Sequence, residues 1–86
     1  MGEKVWYVYL VKCSDLSLYC GITTCIDRRI NEHNGTKKGA KYTRSRRPVS
    51  LVGFTSCKSR SEALKIEAKV KRLSKNKKVS FFNSLA

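Results

Sequence analysis

The chain has 86 residues, with 19 Lys plus Arg against 6 Asp plus Glu, for a formal charge of +13. A chain this short holds one domain, here 1–86, with a small core, since only roughly 60–65% of its unfolded surface can be buried. The apolar run at residues 5–11 is too short for a membrane span, which needs about 20 residues, and one histidine with no Cys-x-x-Cys pair excludes an ordinary zinc site.

Residues 5–11 (VWYVYLV) are β-branched and aromatic on both faces and read as a central, doubly covered strand. Ser14-Asp15-Leu16-Ser17 is a turn, and residues 18–22 (LYCGI) form the second strand of a hairpin. Strand alternation places Tyr7 and Tyr9 on one face and Trp6, Val8 and Leu10 on the other. In the second strand, Tyr19 and Gly21 share a face. Thr24-x-x-Asp27 resembles a capping box, so a helix is expected from there to residue 33 or 34, ended by Gly35. Residues 35–48 read as a basic loop that has room for one short helix around 37–44. Pro48 precedes a third strand at 49–57. Ser59-x-x-Glu62 is a clean capping box opening a helix to about Leu73. Residues 74–86 form a basic tail or short helix whose Phe81 and Phe82 can cover part of the core. The overall expectation is an α/β chain of the mixed, α+β kind.

The charge is unevenly placed. Residues 1–36 carry four bases and four acids, whereas residues 37–86 carry fifteen bases and only Glu62 and Glu67. Self-repulsion of this size is tolerated most simply when the partner is a polyanion, and nucleic acid is the expected one. Lys37, Lys38, Lys41, Tyr42, Arg44, Arg46 and Arg47 interleave six bases with one aromatic ring, a pattern suited to phosphate contacts and base stacking. Lys69, Lys71, Lys75, Lys77 and Lys78 make a second basic stretch. No signal peptide is read, so a cytoplasmic, reducing setting is expected, with the four cysteines serving as small apolar residues.

Three groups could carry chemistry. On the first helix, Ile26, Arg29, Ile30 and His33 share a face, so Arg29 and His33 are neighbours on a side that should meet the core. Either Arg29 snorkels to water beside a hydrogen-bonded His33, or the pair serves a site. On the last long helix, Glu67 lies at the edge of the stripe Ala63, Ile66, Val70 and Leu73. It can pair with Lys71 one turn on, or hold a metal ion. Tyr7, Tyr9 and Tyr19 are either packing or acid–base groups. Half-ionising a tyrosine near neutrality needs a shift of about 3 pK units, roughly 4 kcal/mol, and a nearby guanidinium is one means of supplying it.

Tyr7-Val8-Tyr9, then Leu18-Tyr19-Cys20-Gly21-Ile22, then Arg29, then Glu67 on a late helix resembles the GIY-YIG nuclease superfamily, in particular its small stand-alone bacterial members. The phrases Arg-Arg-Ile-Asn-Glu-His-Asn and Ala-Lys-Tyr-Thr-Arg strengthen the likeness. The resemblance implies a small three-stranded antiparallel sheet flanked by helices, in the order β-β-α-(α)-β-α-(α). It also implies an endonuclease that hydrolyses phosphodiester bonds, with DNA expected as the substrate before RNA. Carried over to this chain, the motif tyrosines are Tyr9 and Tyr19, the motif glycine is Gly21, the helix arginine is Arg29, and Glu67 holds one Mg²⁺ or Mn²⁺. His33 falls where relatives have a tyrosine or histidine. Tyr7 and Cys20 depart from the motif, and Leu16 stands where such relatives commonly have a turn glycine, so a different hairpin loop is expected. Asn76 and Asn83 both stand as candidates for the family's site asparagine. A binding module for DNA or RNA that keeps the fold without catalysis is the competing expectation, followed by a basic tail that meets an acidic protein. Oligomeric state is not legible.

Overall fold

The computed structural model describes residues 5–35 and 39–84, so Lys37, Lys38 and the last two residues of the tail lie outside it. Its elements are β1 (Trp6–Lys12), β2 (Leu18–Thr23), α1 (Ile26–Gly35), α2 (Lys41–Arg44), β3 (Ser50–Cys57), α3 (Arg60–Lys71) and α4 (Lys75–Asn83). This is the expected α+β order with both optional helices present. The sheet is antiparallel in the order β2-β1-β3. β1 is therefore central, which is why its residues are apolar on both faces.

Period-two alternation along β1 divides the core. Val8 and Leu10 face α3 and α4 and pack with Cys20, Cys57, Ala63, Val70 and Phe82. Tyr9 and Val11 face the other way and pack with Cys13, Val49, Tyr19 and Ile30 of α1. α4 reaches the sheet because Gly53 is bare: a Cβ there would lie 2.7 Å from Cβ of Phe82. The four cysteines are free, and three are buried as small apolar groups, whereas Cys25 is exposed.

Local signals act largely where the sequence places them. The Ser59 side chain accepts the Glu62 N–H at 3.1 Å, and the Glu62 carboxylate reaches back one residue past the cap to accept the Lys58 N–H at 3.2 Å, a variant of the box at the start of α3. Ahead of α1 the Thr23 hydroxyl accepts the N–H of Cys25, the residue before the helix, at 3.1 Å, while Thr24 accepts from Arg28. The hairpin loop is closed by the Leu16 N–H donating to the Cys13 carbonyl at 2.9 Å and the Ser17 N–H to Asp15 at 3.0 Å. Leu16 has φ of 70°. The leucine adopts the left-handed backbone that glycine takes without steric cost.

Candidate active site

The first motif tyrosine is placed by a missing side chain. Tyr9 sits opposite Gly21 in the β1–β2 register, and a Cβ on Gly21 would lie 2.5 Å from the Tyr9 hydroxyl. The ring of Tyr9 therefore crosses the bare backbone of β2. The close approach that Gly21 permits is made by Tyr9. At the far side the Tyr9 hydroxyl meets Nε2 of His33 at 2.8 Å, and Nδ1 of His33 meets the Thr43 hydroxyl at 2.8 Å. The phenol oxygen of Tyr9 is also hydrogen-bonded by Arg29. Arg29 is in turn held by Glu32 at 3.1 Å.

Tyr19 closes the cluster from β2. Its ring meets the edge of His33, with centroids 5.4 Å apart, and stacks with Tyr42 at 5.9 Å. The Arg46 guanidinium lies 4.0 Å from the centre of the Tyr42 ring and binds Asp15 of the hairpin loop at 3.0 Å. Tyr7 stands apart from this group and packs edge-on against Phe54 at 6.0 Å.

Burial sets the electrostatics. The Tyr9 phenol is pushed up to about 12 by burial, against the pull of Arg29. That is opposite to the lowered tyrosine the sequence reading looked for, so Tyr9 keeps its proton. His33 is brought down to about 4, first by burial and then by the Arg29 charge, and is neutral. Burial opposes the Arg29 charge as well, but its bonds to Tyr9 and Glu32 outweigh that and hold its pKa above the ordinary value.

Glu67 is placed differently. It lies on α3, across the sheet, where its carboxylate pairs with Lys71 at 3.7 Å. Its charge is nonetheless felt at Cys20, whose thiol is pushed up to about 12 by burial and then by Glu67. Cys20 alternates with Tyr19 and Gly21 along β2, so Glu67 approaches from one side the same edge strand that carries the tyrosine cluster on the other. Among the described residues no three His, Cys, Asp or Glu side chains gather to hold a metal. An ion at Glu67 would take one carboxylate and otherwise water and phosphate oxygen, a donor set that suits hydrated magnesium.

In the basic loop, Lys41, Tyr42 and Arg44 are exposed. Arg46 and Arg47 are turned partly inward, Arg46 onto Asp15 and Tyr42, and Arg47 onto the His33 carbonyl. Asn76 and Asn83 are exposed on α4, in the opposite layer. Sequence reasoning missed Thr43, which is fully buried, and Asn34, whose carboxamide accepts the Val49 N–H at 2.6 Å and donates to the Val49 carbonyl at 3.0 Å. It also missed Gly39, where a Cβ would come 2.7 Å from the Glu32 carbonyl oxygen. Only the phrase Ala-Lys-Tyr-Thr-Arg pointed toward Thr43.

With the cluster in view, the comparisons have a physical meaning. The GIY-YIG catalytic domain family matches residues 5–80, and the chain belongs to that family. Within it, the chain is similar to the UPF0213 protein DP2720 of Desulfotalea psychrophila, 59% identical over 88% of this chain and 69% of the relative. The solution structure of the UPF0213 protein BH0048 of Bacillus halodurans is 47% identical, with a TM-score of 0.55 over 90% of this chain and 81% of that one. The solution structure of EF2693 of E. faecalis is 38% identical, with a TM-score of 0.66 over 98% and 88% of the two chains.

Proposed function

We propose that this chain is a metal-dependent endonuclease that hydrolyses phosphodiester bonds in DNA, acting in the cytoplasm. The observation that carries the reading is the Arg29–Tyr9–His33 cluster assembled over Gly21, beside the ring of Tyr19. Arg29 would neutralise charge that builds on the scissile phosphate. Tyr9 presents its oxygen while its own proton is turned toward His33. Tyr19, as its phenolate, would take the proton of the attacking water, while the buried Tyr9 oxygen orients the Arg29 guanidinium. A divalent ion, Mg²⁺ or Mn²⁺, held by Glu67 would supply neutralisation at the leaving 3′ oxygen. The scissile phosphate would lie along the exposed β2 edge, where Tyr19 and Glu67 are reached from opposite sides. Lys41, Tyr42 and Arg44, with Lys37 and Lys38, would hold the strand on either side.

A second reading, a DNA- or RNA-binding module without catalysis, is favoured by one observation: Glu67 is paired with Lys71 and stands apart from the tyrosine cluster. Cleavage of plasmid, single-stranded and branched DNA with and without Mg²⁺ separates the two. Arg29→Ala is expected to slow cleavage by about 10²- to 10³-fold, and Glu67→Ala to abolish metal-dependent cleavage, with DNA affinity nearly unchanged. Equal loss of binding and cleavage, or wild-type binding without any metal-stimulated cleavage, would favour the binding module.

A further inference from the structure

We infer that Thr43 is a positioning residue: it fixes the tautomer of His33 and, through His33, the direction in which the Tyr9 hydroxyl points. With the Thr43 hydroxyl bonded to the Ala40 carbonyl, the contacts assign the protons one way. The Thr43 hydroxyl lies 2.9 Å from the Ala40 carbonyl oxygen, which can only accept, so Thr43 donates there. A hydroxyl has a single proton. Nδ1 of His33, 2.8 Å from the same oxygen, must therefore bring the proton to that contact. A neutral imidazole carries one N–H, so Nε2 is bare, and the Tyr9 hydroxyl 2.8 Å away donates to it. Tyr9 is left with its proton inward and its lone pairs outward, one of them already taken by Arg29.

The assignment is enforced by burial. Tyr9 is 1% exposed and His33 and Thr43 are 0% exposed, so water cannot stand in for a missing partner. The groups around the imidazole come from several elements: Tyr9 from β1, Tyr19 from β2, Arg29 and Glu32 from α1, Thr43 from α2, and Arg47 on the His33 carbonyl. The two cationic side chains disfavour an imidazolium that would donate from both nitrogens. Gly39 brings the α2 segment close enough for the bond, since a Cβ there would lie 3.0 Å from the His33 α-carbon.

The opposite tautomer would reverse the polarity of the site. An Nε2–H would make Tyr9 accept from both His33 and Arg29 and turn its own proton toward substrate. The phenol oxygen would then be shared between two donors, and the bond that orients the Arg29 guanidinium would weaken. The tautomer stands on geometry alone, whereas its catalytic consequence rests on the nuclease reading.

Nitrogen-15 spectra of the His33 ring in the full chain at pH 7 test the two parts separately. The wild type is expected to show a protonated Nδ1 and a bare Nε2. Thr43→Val, which keeps the shape and removes the hydroxyl, should give a mixture or the reversed tautomer, and Thr43→Ser should restore the original pattern. Under single-turnover conditions Thr43→Val should slow cleavage by about 10- to 100-fold at unchanged DNA affinity, with recovery in Thr43→Ser. A wild-type spectrum showing Nε2–H overturns the inference even where Thr43→Val fails to fold, as does a Val variant that retains the wild-type tautomer. A tautomer that changes with no effect on cleavage overturns the positioning role. The expected tautomer in a wild-type protein that cuts nothing supports the assignment and removes only the nuclease reading.

Discussion

The two faces of the sheet are held by different physics. On the α3–α4 side, Val8, Leu10, Ala63, Val70 and Phe82 meet as hydrocarbon, and stability there scales with the apolar area removed from water. On the α1–α2 side the core contains a phenol, an imidazole and a hydroxyl, and it persists because each polar atom is matched. Among the described residues no buried side-chain nitrogen or oxygen lacks a hydrogen-bond partner. A matched network of this kind defines one geometry, and it loses much when a single member is changed. One strand serves both faces because β1 alternates Val8 and Leu10 with Tyr9 and Val11. The hydrocarbon core and the hydrogen-bonded tyrosine cluster thus lie on opposite sides of the same backbone, with Glu67 on the hydrocarbon side.

The widest separation between the faces is expected from Phe82→Ala. Phe82 is 4% exposed and fills the space over Gly53. Its removal should cost about 3–5 kcal/mol in denaturant unfolding. The His33 tautomer should hold, since no group of the tyrosine cluster touches that cavity, and cleavage per folded molecule should fall only as far as a shift of α3 moves Glu67. A changed tautomer would mean that the two faces are coupled through β1.

Acid should act on the opposite face. His33 titrates near 6.5 when unfolded and at about 4 when folded, so between these values the unfolded chain binds more protons. The stabilisation from keeping His33 neutral is complete above pH 6.5 and is lost as pH falls toward 4. The slope is about 1.4 kcal/mol per pH unit and the total about 3 kcal/mol. His33→Gln should flatten this part of the stability profile. An unchanged slope would show that the imidazole is not the group titrating.

A smaller change in stability should have a larger consequence for chemistry at Gly21. The added methyl of Gly21→Ala would fall 2.5 Å from the Tyr9 hydroxyl and 2.7 Å from Cζ of the same ring. Forcing the ring aside should cost about 1–3 kcal/mol and break the bond to His33. Cleavage should fall further than the folded fraction does. If the two fall together, the position of the Tyr9 oxygen is not critical.

The sequence made one face more legible than the other, and the reason is physical. Hydrocarbon packing leaves a period: Ala63, Ile66 and Val70 were readable as a stripe, and Ser59 with Glu62 as its cap. A hydrogen-bonded core has no period. Arg29 and His33 could be paired because they are one helical turn apart, but the partner of His33 is ten residues further on, beyond a loop. Thr43 in the sequence is one small polar residue in a basic stretch. The same limit applies to Arg46 and Arg47, which read as phosphate contacts and are partly occupied within the protein. Whether Glu67 lay near the tyrosines depended on the pairing of helix faces with sheet faces, and spacing along the chain carries no such information.

The hairpin loop belongs to neither face, and it offers the gentlest test of the contrast. Leu16 is 58% exposed, so its side chain contributes little burial, yet its φ of 70° places a Cβ where the following carbonyl crowds it. Leu16→Gly removes that crowding and also makes the unfolded chain more flexible, which offsets part of the gain. The expected net effect is a stabilisation of up to about 1 kcal/mol, read from the denaturation midpoint at unchanged slope. The loop reaches the Tyr42 segment through the Asp15–Arg46 pair and through the Ser14 N–H, which donates to the Arg46 carbonyl at 2.9 Å, and none of these bonds depends on the Leu16 side chain. The His33 tautomer and the cleavage rate should therefore stay as they are. Greater stability accompanied by slower cleavage would mean that strain at Leu16 helps hold Tyr42 against Tyr19, and the division of labour would then have to include the loop.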